Sequence, residues 1–83
     1  MATRKQNEHR YDNWIDLPDG GRRYWFDVPG QVRGFARYIK IVDANEKTAA
    51  FTQEIYDDEG RLIEIHQKYP VDTDHHRVES AEE

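Results

Sequence analysis

The chain has no cysteine among its 83 residues. Disulfides, thiolate zinc sites and thiol nucleophiles are thereby excluded. A secreted domain of this size would ordinarily need such a staple. Long apolar runs are missing too. The opening MATRKQNEHR lacks the hydrophobic stretch of a signal peptide, and nothing later reaches the length of a membrane span. The expectation is a soluble, cytoplasmic, bacterial-type protein. Phosphate loops, dinucleotide fingerprints and serine elbows are also absent. Gly20, Gly21 and Gly30 sit in turns between strand-like segments, where no helix follows to cradle a phosphate. No cofactor is expected.

What remains is polar and aromatic. Hydrophobic residues make up 36% of the chain and charged ones 35%, which taken alone suggests disorder. Against that stand two Trp, five Tyr and three Phe, concentrated in the middle. Each ring buries a large area, so a few can hold a small core. A chain this short makes one domain. The expectation is a flexible N-terminal arm over residues 1–9, a single β-rich domain over 10–72 and a disordered acidic tail over 73–83.

Strand-period alternation recurs through the centre. YDNWIDL (11–17) leads into the turn PDGG (18–21). RRYWFDV (22–28) alternates Tyr24, Phe26 and Val28 with Arg23, Trp25 and Asp27, and Pro29-Gly30 breaks the run. FARYIKIV (35–42) places Phe35, Arg37, Ile39 and Ile41 on one face and Ala36, Tyr38, Lys40 and Val42 on the other. RLIEIHQKY (61–69) alternates in the same way and ends at Pro70.

DANEKTAAFTQEIYDDEG (43–60) reads in two ways. As a helix over 44–58, Asp43 is the N-cap and Glu46 completes a capping box. As a strand, Asp43 to Lys47 is a turn and DDEG is a tight hairpin loop into the next strand. The strand is preferred. The fold class is then mostly β: an antiparallel meander of about five strands that can curl into a half-open barrel. The alternative is α+β, four strands with a helix.

Arg33-Gly34-Phe35-Ala36 matches the first half of the octamer of RNA-recognition motifs. The match stops there. Arg37 stands at an aromatic position, Tyr38 at an aliphatic one and Lys40 at the closing aromatic. The turns between Leu17 and Phe35 also leave no room for the crossover helix that fold needs. A broader feature survives. Residues 20–42 carry five cations, Arg22, Arg23, Arg33, Arg37 and Lys40, against Asp27 alone, in a chain of net charge −5. RRYWF and RGFARY interleave Arg with rings, as single-strand binders do. Arg22, Arg23, Trp25, Arg33, Arg37 and Tyr38 are therefore the candidate nucleic-acid surface. The plainer reading pairs these cations with acidic residues of neighbouring strands.

The histidines offer less. His75 and His76 follow Asp72 and Asp74, but adjacent residues of an extended strand point to opposite faces. His66 with Glu64, joined by Tyr56 or Asp57, could do acid–base work with Lys68 as charge stabiliser. Nothing in the pattern demands it, and no catalytic or metal-ligating residue is assigned. The balance is against an enzyme.

RYDNWIDLPDGGRRYWFDVPG and QEIYDDEGRLIEIHQKYPVD resemble a family of small bacterial proteins grouped as a domain of unknown function, over roughly residues 10 to 72. That resemblance implies no activity. The layout of strands followed by Tyr69-Pro70 and Asp74-His75-His76 is loosely similar to small toxins of toxin–antitoxin pairs, which leaves a toxin-like nuclease using C-terminal histidines as a third reading. The leading expectation is a protein-interaction or regulatory module, with a protein partner or a second copy, because a small sheet has open edges and a poorly covered face. Single-stranded RNA is the alternative partner, and a membrane is not expected.

Overall fold

A computed structural model describes residues 2–30, 33–71 and, as backbone, 75–77. The protein is mostly β. One short helix, α1 (Arg4–Arg10), precedes β1 (Asn13–Asp16), β2 (Arg22–Pro29), β3 (Phe35–Val42), β4 (Thr48–Tyr56), β5 (Leu62–Tyr69) and β6 (His75–Arg77). The strands form one antiparallel sheet in chain order, β1-β2-β3-β4-β5-β6, without closure into a barrel. Segment 44–58 is thus a strand and its flanking turns, and the helical alternative falls.

Three hairpins share one turn. Leu17 N–H bonds to Gly21 O and Gly20 N–H to Leu17 O. Asp43, Lys47 and Glu46 repeat the pattern, and so do Asp57, Arg61 and Gly60. In each turn the fourth residue must take a positive φ. Glycine does so at Gly20 (88°) and Gly60 (81°), but in the middle turn the residue is Glu46, at 67°. A Glu there costs about 1 kcal/mol against glycine. Asp43 and Asp57 each accept two turn amides on Oδ1, from Asn45 and Lys47 and from Glu59 and Arg61. Asp43 therefore organises a turn, where the helical reading made it an N-cap. Gly34, at φ 74°, is required for a second reason: a Cβ would run into the carbonyl of Tyr56.

Residues 1–9 are not a free arm. Thr3 caps α1, accepting from Gln6 N while Gln6 Oε1 accepts from Thr3 N, a reciprocal capping box. The helix RKQNEHR carries no apolar residue and spans two turns, too short to persist alone. Docking holds it, as the site below shows. Of the expected disordered tail, His75–Arg77 forms β6, while residues 73, 74 and 78–83 lie outside the described residues.

Register decides which side chains share a face. Arg22, Tyr24, Phe26 and Val28 pair with Val42, Lys40, Tyr38 and Ala36. Lys40, Tyr38 and Ala36 pair onward with Phe51, Gln53 and Ile55. This is the face that α1 covers in part. Its core is Tyr11, Tyr24 and Val42, with Phe26 and Phe51 packed against them. The opposite face carries Arg23, Trp25, Asp27, Phe35, Arg37, Ile39, Ile41, Thr52, Glu54 and Tyr56 by the same pairing. Among the described residues no element covers it.

Candidate functional site

The six candidate nucleic-acid residues do not converge. Arg22 and Tyr38 lie on the helix face, while Arg23, Trp25 and Arg37 lie on the open face. Arg33 sits in the turn before β3, exposed, 3.7 Å from Asp58. Arg22 is buried: it bonds Glu8 at 2.5 Å and Asp16 at 2.8 Å, and its guanidinium lies over the rings of Trp14 and Tyr24. Burial pushes its pKa down, but the Glu8 and Asp16 carboxylates outweigh that and hold it well above the usual arginine range. Arg22 therefore staples α1 and β1 to β2. Tyr38 stacks on Phe26, with centroids 5.2 Å apart, and accepts from Gln53 Nε2 at 3.1 Å.

The open face keeps a real subset. Arg23 lies 4.9 Å over the Trp25 ring. Phe35 and Tyr56 stack at 4.8 Å, with Arg37 above both rings at 5.7 and 5.3 Å. Arg37 also grips Asp27 with two nitrogens, at 2.7 and 3.1 Å. That hydrogen-bonded ion pair raises its pKa. Tyr56 donates to Glu54 at 2.6 Å, while burial, then Glu54, pushes the phenol up. Ile39 lies beside Trp25 on the neighbouring strand and is only 4% exposed although no layer covers it; the surrounding side chains roof it. Ile15, by contrast, is 49% exposed. The face as a whole is apolar and aromatic at its centre and balanced in charge, with Arg23 and Arg37 against Asp27 and Glu54. Of the six candidates, only Arg23 and the two rings have no carboxylate partner among the described residues.

Sequence reasoning missed the polar centre beneath α1. Asn7 is 1% exposed and Glu46 is 8% exposed. Glu46 accepts from Arg4 Nε at 3.0 Å, from Asn7 Nδ2 at 2.9 Å and from the Tyr24 hydroxyl through a very short bond. Lys40 Nζ donates to Asn7 Oδ1 at 3.0 Å. Burial pushes Glu46 up, but those three donors prevail and its pKa is lowered. Burial, with Glu46 in support, raises Tyr24. Each buried polar group here has a partner, as burial demands. The signal for α1 was present in Thr3-x-x-Gln6. The role of Glu46 had no local signal.

Of the histidine constellation, the described residues bring together only a part. His66 pairs across the sheet with Gln53 and lies on the face of Glu64 and Lys68. Tyr56 is on the other face, and Asp57 is occupied by turn amides and by Arg61 Nε at 3.0 Å. The backbone of His75 lies opposite His66. The side chains of His75 and His76 lie outside the described residues. Among the described residues no three His, Asp or Glu side chains are grouped to hold a metal, and no helix is long and apolar enough to cross a membrane.

No protein-family model, curated protein or solved structure matches the chain.

Proposed function

We propose that the chain is a protein-interaction module that self-associates, two copies packing open face against open face around Trp25. One observation carries this reading: among the described residues no element covers the sheet's second face, and that face is aromatic, half-buried and charge-balanced. An antiparallel sheet commonly leaves a polar face to water, but this second face carries Trp25, Phe35, Ile39 and Tyr56. Here only Tyr11, Tyr24, Ile39 and Val42 are buried among the hydrophobic residues described, a small core for a marginal domain size. A facing sheet would supply the missing layer at the usual spacing of about 10 Å. Trp, Tyr and Arg, which dominate binding hot spots, stand here as Trp25, Tyr56, Arg23 and Arg37.

Charge favours a second copy over a nucleic acid. Arg37 and Arg22 are neutralised by carboxylates in place, so little positive potential remains to draw phosphates. A neutral face with both signs interspersed meets its own copy without repulsion, and Arg23 of each copy can reach the partner's carboxylates. Sedimentation equilibrium tests this. Wild-type protein is expected at twice the chain mass, and Trp25→Asp at the chain mass with an unchanged far-ultraviolet spectrum. A wild-type monomer, or a dimer indifferent to Trp25→Asp, overturns it. So does a monomer that binds oligouridylate with steep salt dependence, which would assign the face to RNA.

A further inference from the structure

The helix face holds an open cleft of about 680 Å³ where α1 meets β3 and β4, lined by Asn7, His9, Arg10, Lys40, Thr48 and Phe51 among others. Tyr11 and Phe51 give it an apolar wall, and Arg10 and Lys40 give it cations. Lys68 stands on the same side of the sheet, its ammonium 5.9 Å from the Phe51 ring centroid. Among the described residues no carboxylate forms an ion pair with Lys40, Arg10 or His9. The nearest buried acid, Glu46, is taken up by Arg4, Asn7 and Tyr24.

We propose that this cleft binds a small organic oxyanion, its charged end on Lys40 and Arg10 and its apolar body on Phe51. Lys40, half-buried and donating to Asn7, and Arg10, at the exposed helix end, both line the cleft, and neither has an ion-pair partner among the described residues. A pocket with apolar walls and a few convergent polar groups is the usual form of a ligand site. Lys40 points the same way. Burial first and the nearby Arg10 charge second lower its pKa, against a smaller pull from Glu46. An anion between Lys40 and Arg10 would offset their mutual repulsion. Thr48 supplies a neutral hydrogen-bonding group at the same wall, while Asn7 is buried and holds Lys40 in place. Both a phosphate monoester and a carboxylate have this chemistry, and their strengths should differ: Lys and Arg together favour the doubly charged phosphate.

The test is an amide-resolved NMR titration with phenyl phosphate, benzoate and benzyl alcohol as probes. Both anions are expected to give saturable shifts at Asn7, Lys40, Thr48 and Phe51. Benzyl alcohol should bind at least tenfold more weakly. Tighter binding of phenyl phosphate than of benzoate assigns the site to phosphate esters, and the reverse order assigns it to carboxylates. Lys40→Met should weaken the anions at least tenfold, while Lys47→Met, in the exposed turn, should leave them unchanged. If Lys40→Met fails to fold, Arg10→Gln at the exposed helix end carries the same expectation. Unsaturable shifts spread over the surface, equal binding of benzyl alcohol, or unchanged affinity in the cleft variant overturns the proposal.

Discussion

Tyr24 and Trp25 are neighbours in the chain and differ in almost everything else. Tyr24 is fully buried beneath α1, its ring packed at a tilt against Tyr11 and its hydroxyl bonded to Glu46. Trp25, one residue on, faces the uncovered side with Arg23 over its ring. One face of the sheet is finished within the chain, and finished largely by polar groups. A helix with no apolar side chain is held by Asn7, Glu8 and Arg4 reaching Glu46 and Arg22. The other face has apolar and aromatic side chains but, among the described residues, no layer above them. A small chain can thus anchor a covering element by a buried polar network; on the proposal above, the second face is left for a partner.

Breaking the finished face should do the most damage. Tyr24→Ala removes a fully buried ring, and about 3–5 kcal/mol should be lost. That is enough to leave a domain of this size largely unfolded at 25 °C, as read by urea denaturation. Trp25→Ala sharpens the contrast: measured at concentrations where the protein is monomeric, it should cost only about 1–2 kcal/mol, because the ring is half-buried. Equal costs at the two positions would mean that the open face is core after all.

Glu46→Gly separates backbone from side chain. Glycine relieves about 1 kcal/mol of left-handed strain. It also leaves the Tyr24 hydroxyl and the Asn7 amide without their acceptor, at about 1–3 kcal/mol for each buried group. The net expectation is a loss of roughly 3 kcal/mol and rapid amide exchange in α1. A more stable variant would show that Glu46 does not anchor the helix.

The same carboxylate sets a smaller, pH-dependent effect. Its folded pKa is lowered by Tyr24, Asn7 and Arg4 in spite of burial. Its contribution is therefore complete above the unfolded value of about 4.3 and is lost as pH falls through the folded value. Stability measured from pH 7 downward should drop more steeply in wild type than in Glu46→Gln. Parallel curves would remove Glu46 from the account.

Much of this fold was legible, and the reason is local. β2, β3 and β5 announce themselves by alternation between turn residues, and Asp57-x-x-Gly60 marks its hairpin openly. The middle hairpin was ambiguous because Glu46 replaces the glycine of that same turn, so Asp43-x-x-Glu46 reads equally as a capping box. The helix α1 was missed because hydrophobic periodicity, the strongest helical signal, is absent from RKQNEHR. The capping pattern of Thr3 and Gln6 alone could not announce it. Face assignments within each strand were readable, but the grouping across strands was not. Phe26 pairs with Tyr38 and Trp25 with Ile39; that register separates Tyr38 from Trp25 and splits the candidate RNA surface. Register follows from loop length and geometry between Pro29 and Phe35, which composition does not reveal.

The most direct measurement is the thermal midpoint across a hundredfold range of protein concentration, for wild type and for Trp25→Glu. A self-associating face couples stability to concentration. The wild-type midpoint should rise steadily with concentration, while that of Trp25→Glu stays constant. A wild-type midpoint independent of concentration would contradict the claim that a second copy completes the open face.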